Sequence, residues 1–202
     1  MDLTGFALAV LLIELTPGPN MAWLAGLAAS EGRRHGLAAV AGVAIGLSAN
    51  GVLAAVGLAA LLQAAPQLWI ALRLAGAAMM AWLSVETWRG AARADSRRPS
   101  DGPVGRAFGT GALINLLNPK AYIFFLVVAP QFTGGAQLDL GSALVLCLVS
   151  VTIATAIHLA IVLAGSGAHA WLNDPARTVV VRRGFAVVMM GVAVSFLIAD
   201  LG

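Results

Sequence analysis

Leu15-Thr16-Pro17-Gly18-Pro19-Asn20, inside the first apolar stretch, and Asn115-Leu116-Leu117-Asn118-Pro119-Lys120-Ala121, inside the fourth, decide how this chain folds. Proline lacks a backbone N–H and clashes with the turn before it, so each segment ends one helix and starts another. A lipid-facing backbone must satisfy its own hydrogen bonds. Interrupted chain at membrane depth therefore survives only where it packs in protein or lines a wet cavity. Thr16 and Asn118 each offer a side-chain oxygen to cap a helix that begins at the following proline. Gly18 permits close backbone approach, and Pro19 still falls in the first turn, where proline is tolerated.

Outward from these segments, the 202 residues are 60% hydrophobic and 10% charged, with a mean hydropathy of +0.91. Soluble domains are about a quarter charged, so the chain reads as an integral membrane protein, one transmembrane domain over 1–202. At ~1.5 Å per residue, about six stretches are long enough to cross a bilayer: 3–30, 36–62, 68–88, 107–129, 140–165 and 184–198. No positively charged segment precedes the first, which is expected to stay in the mature protein.

Arginines mark the connections. Arg33 and Arg34 fall in the first, Arg89, Arg93, Arg97, Arg98 and Arg106 in the third, and Arg177, Arg182 and Arg183 in the fifth. Short cytoplasmic loops carry the excess of Lys and Arg, which places odd connections inside and both termini outside. The pI of about 10 has this origin, and no basic polar face points to nucleic acid. The polar segment 89–106 reads as a cytoplasmic linker, either a topology signal alone or a contact for anionic lipid. It separates repeat one, 1–88, from repeat two, 107–202. An odd number of spans per repeat makes the two insert with opposite topology. The expected fold is all-α, with about six transmembrane helices in two inverted three-helix repeats, the first and fourth broken at mid-membrane.

Such breaks expose free N–H groups at one helix start and free carbonyls at the preceding helix end, with partial charges of about half a unit. An α-amino acid zwitterion complements both. The expected substrate-binding residues are Thr16, Pro17, Gly18, Pro19, Asn20, Asn115, Asn118, Pro119 and Lys120, with the ammonium near Glu14 or the carbonyls of residues 13–15. Glu14 and Lys120 lie roughly 18–20 Å along their spans by helical rise. Ionisable groups at that depth cost about 2.5–3.5 kcal/mol each and usually pair or mark an ion pathway. Both are assigned to coupling with protons, against the alternative of a static pair. Asn50 and Asn115 serve a ligand or helix–helix contact, and His158 either shuttles protons or sits satisfied in the core. Glu86 is expected to pair with Arg89 at i,i+3 spacing, and Gly42 and Gly46 to mark close helix packing.

Other chemistry finds no support in the residues. Cys147 is the only cysteine, which removes disulfides and thiolate metal cages, and no metal or cofactor motif occurs. Gly165-Ser166-Gly167 with His169 does not make an intramembrane protease signature, because position 164 is alanine and both side chains belong to one segment. No catalytic function is expected. A non-transporting membrane scaffold docking a partner through 89–106, or a small-ion pore, remains as the alternative to a carrier.

Together with Phe124-Phe125, Pro130-Gln131-Phe132, Gly57-Leu58 and Leu74-Ala75-Gly76-Ala77-Ala78, the two broken segments resemble the lysine-exporter (LysE/RhtB) family of amino-acid exporters. The resemblance covers nearly the whole chain. It implies a multi-pass secondary transporter of the bacterial inner membrane that expels amino acids or related metabolites in exchange for protons, and a homo-oligomer. Export as the direction comes from the resemblance alone. Met79 stands where many members carry tyrosine, and Ser84 where glycine is usual. Asn50 lies on a span that lacks the carboxylate proposed for relatives handling basic amino acids, which favours a neutral substrate over a basic one.

Overall fold

In the computed structural model the residues described are 1–15, 18–56, 65–92, 103–133, 140–169 and 175–198; Thr16, Pro17, Gly57-Leu58 and most of the linker lie outside them. The described residues form helices α1 (Leu3–Leu15), α2 (Pro19–Glu31), α3 (Arg33–Ala55), α4 (Pro66–Ala92), α5 (Val104–Leu116), α6 (Pro119–Ile123), α7 (Leu140–His169) and α8 (Pro175–Ile198). A π turn, Phe124–Val128, and a 3-10 turn, Ala129–Thr133, continue α6.

The distribution of side chains is that of a protein dissolved in lipid. Leu12, Leu148, Val180 and Ile198 are exposed, whereas Asn20, Asn50, Asn115, Asn118, Ser150 and His158 are buried. Water would drive the opposite arrangement, whereas hydrocarbon outside makes polar groups seek partners within. Among the described residues, four helices are long and apolar enough to cross a membrane, or five spans when α1 and α2, bent by 55° at their junction, count as one. The remaining expected stretch, 107–129, arrives in pieces, since α5 stops at Leu116 and a new helix starts at Pro119. Neither piece is long enough alone.

Boundaries differ from the hydropathy reading at the basic ends. The last helix starts at Pro175 rather than near 184, because proline suits the first helical position and arginines extend their charged heads to the interface. Likewise α4 runs to Ala92 and α5 begins at Val104, so Arg89 and Arg106 are helical rather than in a loop. Gly32, with φ 83°, sits in the left-handed region that glycine adopts without penalty. It lets α2 end and α3 begin one residue later.

Glycines bring backbones together at several crossings, Gly76 of α4 abutting the Leu117 carbonyl among them. A Cβ on Gly46 would meet the Ala112 carbonyl oxygen at 2.6 Å, and Gly42 and Gly111 abut the carbonyls of Phe108 and Ala39, so α3 and α5 lie backbone to backbone. Gly165 of α7 similarly faces the Ala25 carbonyl of α2 at 3.2 Å. α4 packs mainly on α8, where the buried Ser84 hydroxyl donates to the Ala186 carbonyl at 2.7 Å and the Arg183 guanidinium lies 5.1 Å from the Trp88 ring centre. Cys147 is buried between α7 and α3, its thiol 3.8 Å from the Ser48 carbonyl.

Glu86 pairs with Arg106 of α5, not with Arg89. The i,i+3 rule sees only neighbours on one helix, and the better partner comes from beyond the linker. Gly46→Leu is expected to destabilise the protein by about 1–3 kcal/mol through overpacking. Gly109→Leu, on the same helix pair but with nothing within 4 Å of its Cβ position, is the control. Melting temperatures in detergent should fall for the first and hold for the second.

Candidate functional site

Both breaks open onto one buried cavity. Gly18, Pro19, Asn20 and Met21 from the start of α2 line it, with Ile13 and Glu14 from the end of α1, Asn115 from α5, Asn118 and Lys120 from the second break, and Ser150 and His158 from α7. Its free volume is about 30 Å³, room for ~1–2 waters.

The first break is placed two residues later than Thr16-Pro17 suggests: α2 starts at Pro19, with Gly18 extended at φ −152° and ψ −179° in the cap position. A residue before proline is pushed out of the helical region, so Gly18 cannot belong to a helix that Pro17 starts. Among the described residues no side chain caps α2, and its N-terminal partial charge faces the cavity. The second break follows the sequence to the residue. Asn118 is the N-cap, its Oδ1 accepting from the Lys120 amide at 3.0 Å, and Pro119 takes the first helical position.

Lys120 then reaches across to the other break, where its ammonium donates to the Ile13 carbonyl at the end of α1. The helix end expected to receive a substrate ammonium thus receives an internal one. Glu14 Oε2 lies 3.6 Å from His158 Nε2, and neither ring nitrogen of this buried histidine has a hydrogen-bond partner among the described residues. His158 is therefore not the satisfied core residue that an isolated apolar-flanked histidine usually is.

Asn20 and Asn115 form the wall opposite, with Asn50 behind them. Asn20 Nδ2 donates to Asn115 Oδ1 at 2.7 Å, and Asn50 Nδ2 donates to the Asn115 backbone carbonyl at 2.9 Å. Asn50 stands behind the cavity and supports it, tying α3 to α5. Among the described residues, Asn20 Oδ1, Asn115 Nδ2 and Asn50 Oδ1 are buried without partners. Each such orphan costs about 1–3 kcal/mol, and the two on the cavity wall, Asn20 Oδ1 and Asn115 Nδ2, have unused capacity for a ligand.

Ser150 was not singled out by sequence, although Ser150, Ala154 and His158 recur every fourth residue of an otherwise apolar helix and so share a face. All three are buried, and the Ser150 hydroxyl donates to the Leu146 carbonyl at 2.9 Å. Among the described residues no cluster of His, Cys, Asp and Glu has the make-up of a metal site.

A multi-helix membrane protein whose interrupted helices enclose a polar, partly unsatisfied cavity has the architecture of a translocator. The chain belongs to the LysE type translocator family, whose model matches residues 11–200. It is 27% identical over 186 residues to the homoserine/homoserine lactone efflux protein of Salmonella typhimurium, covering 92% of this chain and 90% of that one. It is 30% identical to the leucine efflux protein of an Enterobacter species, over 68% and 66% of the two chains. Identity to the threonine efflux protein of Escherichia coli is 27%, over 63% and 65%. No solved structure matches.

Asn118→Ala is expected to cost about 1 kcal/mol by removing the cap of the second break, and Asn118→Asp, which keeps an accepting oxygen, to recover most of it. Thermal unfolding of the purified protein in detergent checks both.

Proposed function

We propose that this protein exports a neutral amino acid, or a close derivative, across the bacterial inner membrane in exchange for protons. The observation that carries this is the convergence of Glu14, Asn20, Asn115, Lys120 and His158, from five separate helices, on one cavity at the two helix breaks. The substrate carboxylate binds at the start of α2 and to Lys120; its ammonium takes the carbonyl end of α1 and Glu14. Lys120 holds that carbonyl end until substrate arrives, then turns to the carboxylate.

Charge balance favours a zwitterion. The described lining offers Glu14 as its only acid and Lys120 as its only permanent cation. A zwitterion adds no net charge, whereas a basic amino acid adds a cation with no second carboxylate to meet it. The relatives named for homoserine, leucine and threonine efflux fit the same preference. Glu14 and His158, 3.6 Å apart, make a short proton path beside the substrate, so that a proton and an ammonium compete for one carboxylate.

Six crossings in two inverted repeats follow when α1 with α2, and α5 with α6 and its continuation, each count as one interrupted span. Exchanging the repeats converts the close α3–α5 contact into α7 against the first span, and returns α4–α8 and α3–α7 to themselves. All of these pairs are in contact. The ends of α2 and α4 and the starts of α3, α5 and α8 gather at one end of the bundle. Since these carry the arginines, that end is cytoplasmic and both termini face out.

Efflux of labelled leucine, homoserine, threonine, lysine and arginine from loaded proteoliposomes, at two pH values, tests this. Saturable, counter-substrate-stimulated efflux of the neutral compounds is expected; lysine or arginine outpacing all of them overturns the preference, and non-saturable ion flux points to a pore. Glu14→Gln is expected to abolish the pH dependence, and full transport with that dependence intact removes Glu14 from coupling.

A further inference from the structure

The roomier cavity is not the central one. At the arginine-bearing end, α2, α4, α5 and α8 enclose about 230 Å³ of free space, against about 30 Å³ at the centre. Trp23, Glu31, Glu86, Arg106, Thr110 and Arg182 are among its walls. Both signs of charge are thus present. Glu86 and Arg106 pair across it, with side chains 43% and 56% exposed, and Arg182 donates to the Gly90 carbonyl at 3.4 Å while its buried Nε has no partner.

The two cavities are stacked along the same pair of helices. α2 gives Asn20 to the central one and Trp23 to the other, one turn apart; α5 gives Asn115 to the central one and Arg106 and Thr110 to the other. Trp23 is only 6% exposed and packs with Met80, Leu83, Ile114 and Met189 in one apolar cluster. An indole with this packing separates a space that fits a small solute from one that in this conformation does not.

We infer that the end cavity is a loading site for the zwitterionic substrate, at which Arg106 and Arg182 take the carboxylate and Glu86 and Glu31 the ammonium, with Trp23 as the partition to the central site. This rests on the exporter reading. Guanidinium groups suit carboxylates because they offer paired N–H donors, and an exposed ion pair is worth little to folding, which leaves Glu86 and Arg106 free to exchange partners. A substrate bound here needs only the Trp23 cluster to part before it reaches Asn20 and Asn115.

The test is uptake of labelled leucine, homoserine, threonine, lysine and arginine into inside-out membrane vesicles, which expose this end to the medium. Arg106→Gln and Glu86→Gln are each expected to raise KM roughly tenfold, the change that loss of a charge-assisted hydrogen bond produces, with the maximal rate nearly unchanged. Arg106→Lys, which keeps the charge but not the paired donors, should be intermediate. Exchange of the pair, Glu86→Arg with Arg106→Glu, should leave KM raised; a wild-type KM in that variant identifies a strut between α4 and α5 and overturns the inference. Unchanged KM in both single variants with normal wild-type uptake also overturns it, and leaves the exporter reading standing. Absence of wild-type uptake for every amino acid overturns both.

Discussion

Lys120 donating to the carbonyl of Ile13 is the contact on which the rest of the bundle turns. The carbonyl is free because α1 ends inside the protein, and the ammonium is there because Asn118 and Pro119 start a new helix beside it. Neither group is tolerable alone. A helix end in hydrocarbon leaves carbonyls unsatisfied, and a lysine there leaves a charge unpaired. Each interrupted helix thus answers the demand created by the other, and Glu14 and His158 complete a polar centre that would otherwise be expelled to the surface.

That centre needs a rigid frame, which small residues supply. Without a hydrophobic effect to press helices together in lipid, close backbone approach and interhelical hydrogen bonds do the work. Gly42, Gly46 and Gly111 join α3 to α5, and Gly165 meets α2; Asn50 adds a hydrogen bond from α3 to the Asn115 carbonyl. The asparagine that faces the cavity is therefore positioned by one that does not. Ser84 plays the same part between α4 and α8, its hydroxyl forming an interhelical bond.

Much of this was legible because local chemistry dictates it. The second break reads directly from Asn118-Pro119, and the apolar stretches locate the long helices. The first break was misplaced because two prolines compete, and the restriction on Gly18 by Pro19 outweighs the capping oxygen of Thr16. What local rules cannot reach is the partner. Nothing near Glu86 announces Arg106, nothing near Glu14 announces His158, and Gly42 and Gly46 do not say which helix they will touch. Ser150 carried a signal in its four-residue spacing from Ala154 and His158, visible only once His158 is known to face polar groups.

Aromatic side chains flank the central cavity, with Phe124 in its lining and Trp23 one turn along α2 from Asn20. Toward the termini, Phe6 stacks near Phe124 and Phe132 at centroid distances of 5.3 and 5.6 Å, and the Asp2 amide holds the Phe132 carbonyl at 3.0 Å. Toward the arginines stands Trp23. The backbone-tight crossings pair α2 with α7 and α5 with α3, whereas α2 and α5, which flank both cavities, share few direct contacts. Separation along the α2–α5 seam disturbs neither tight crossing. The pairs that this packing favours as rigid are consequently α2 with α7 and α5 with α3, and the contact of α3 with α7 joins them on the side away from the seam.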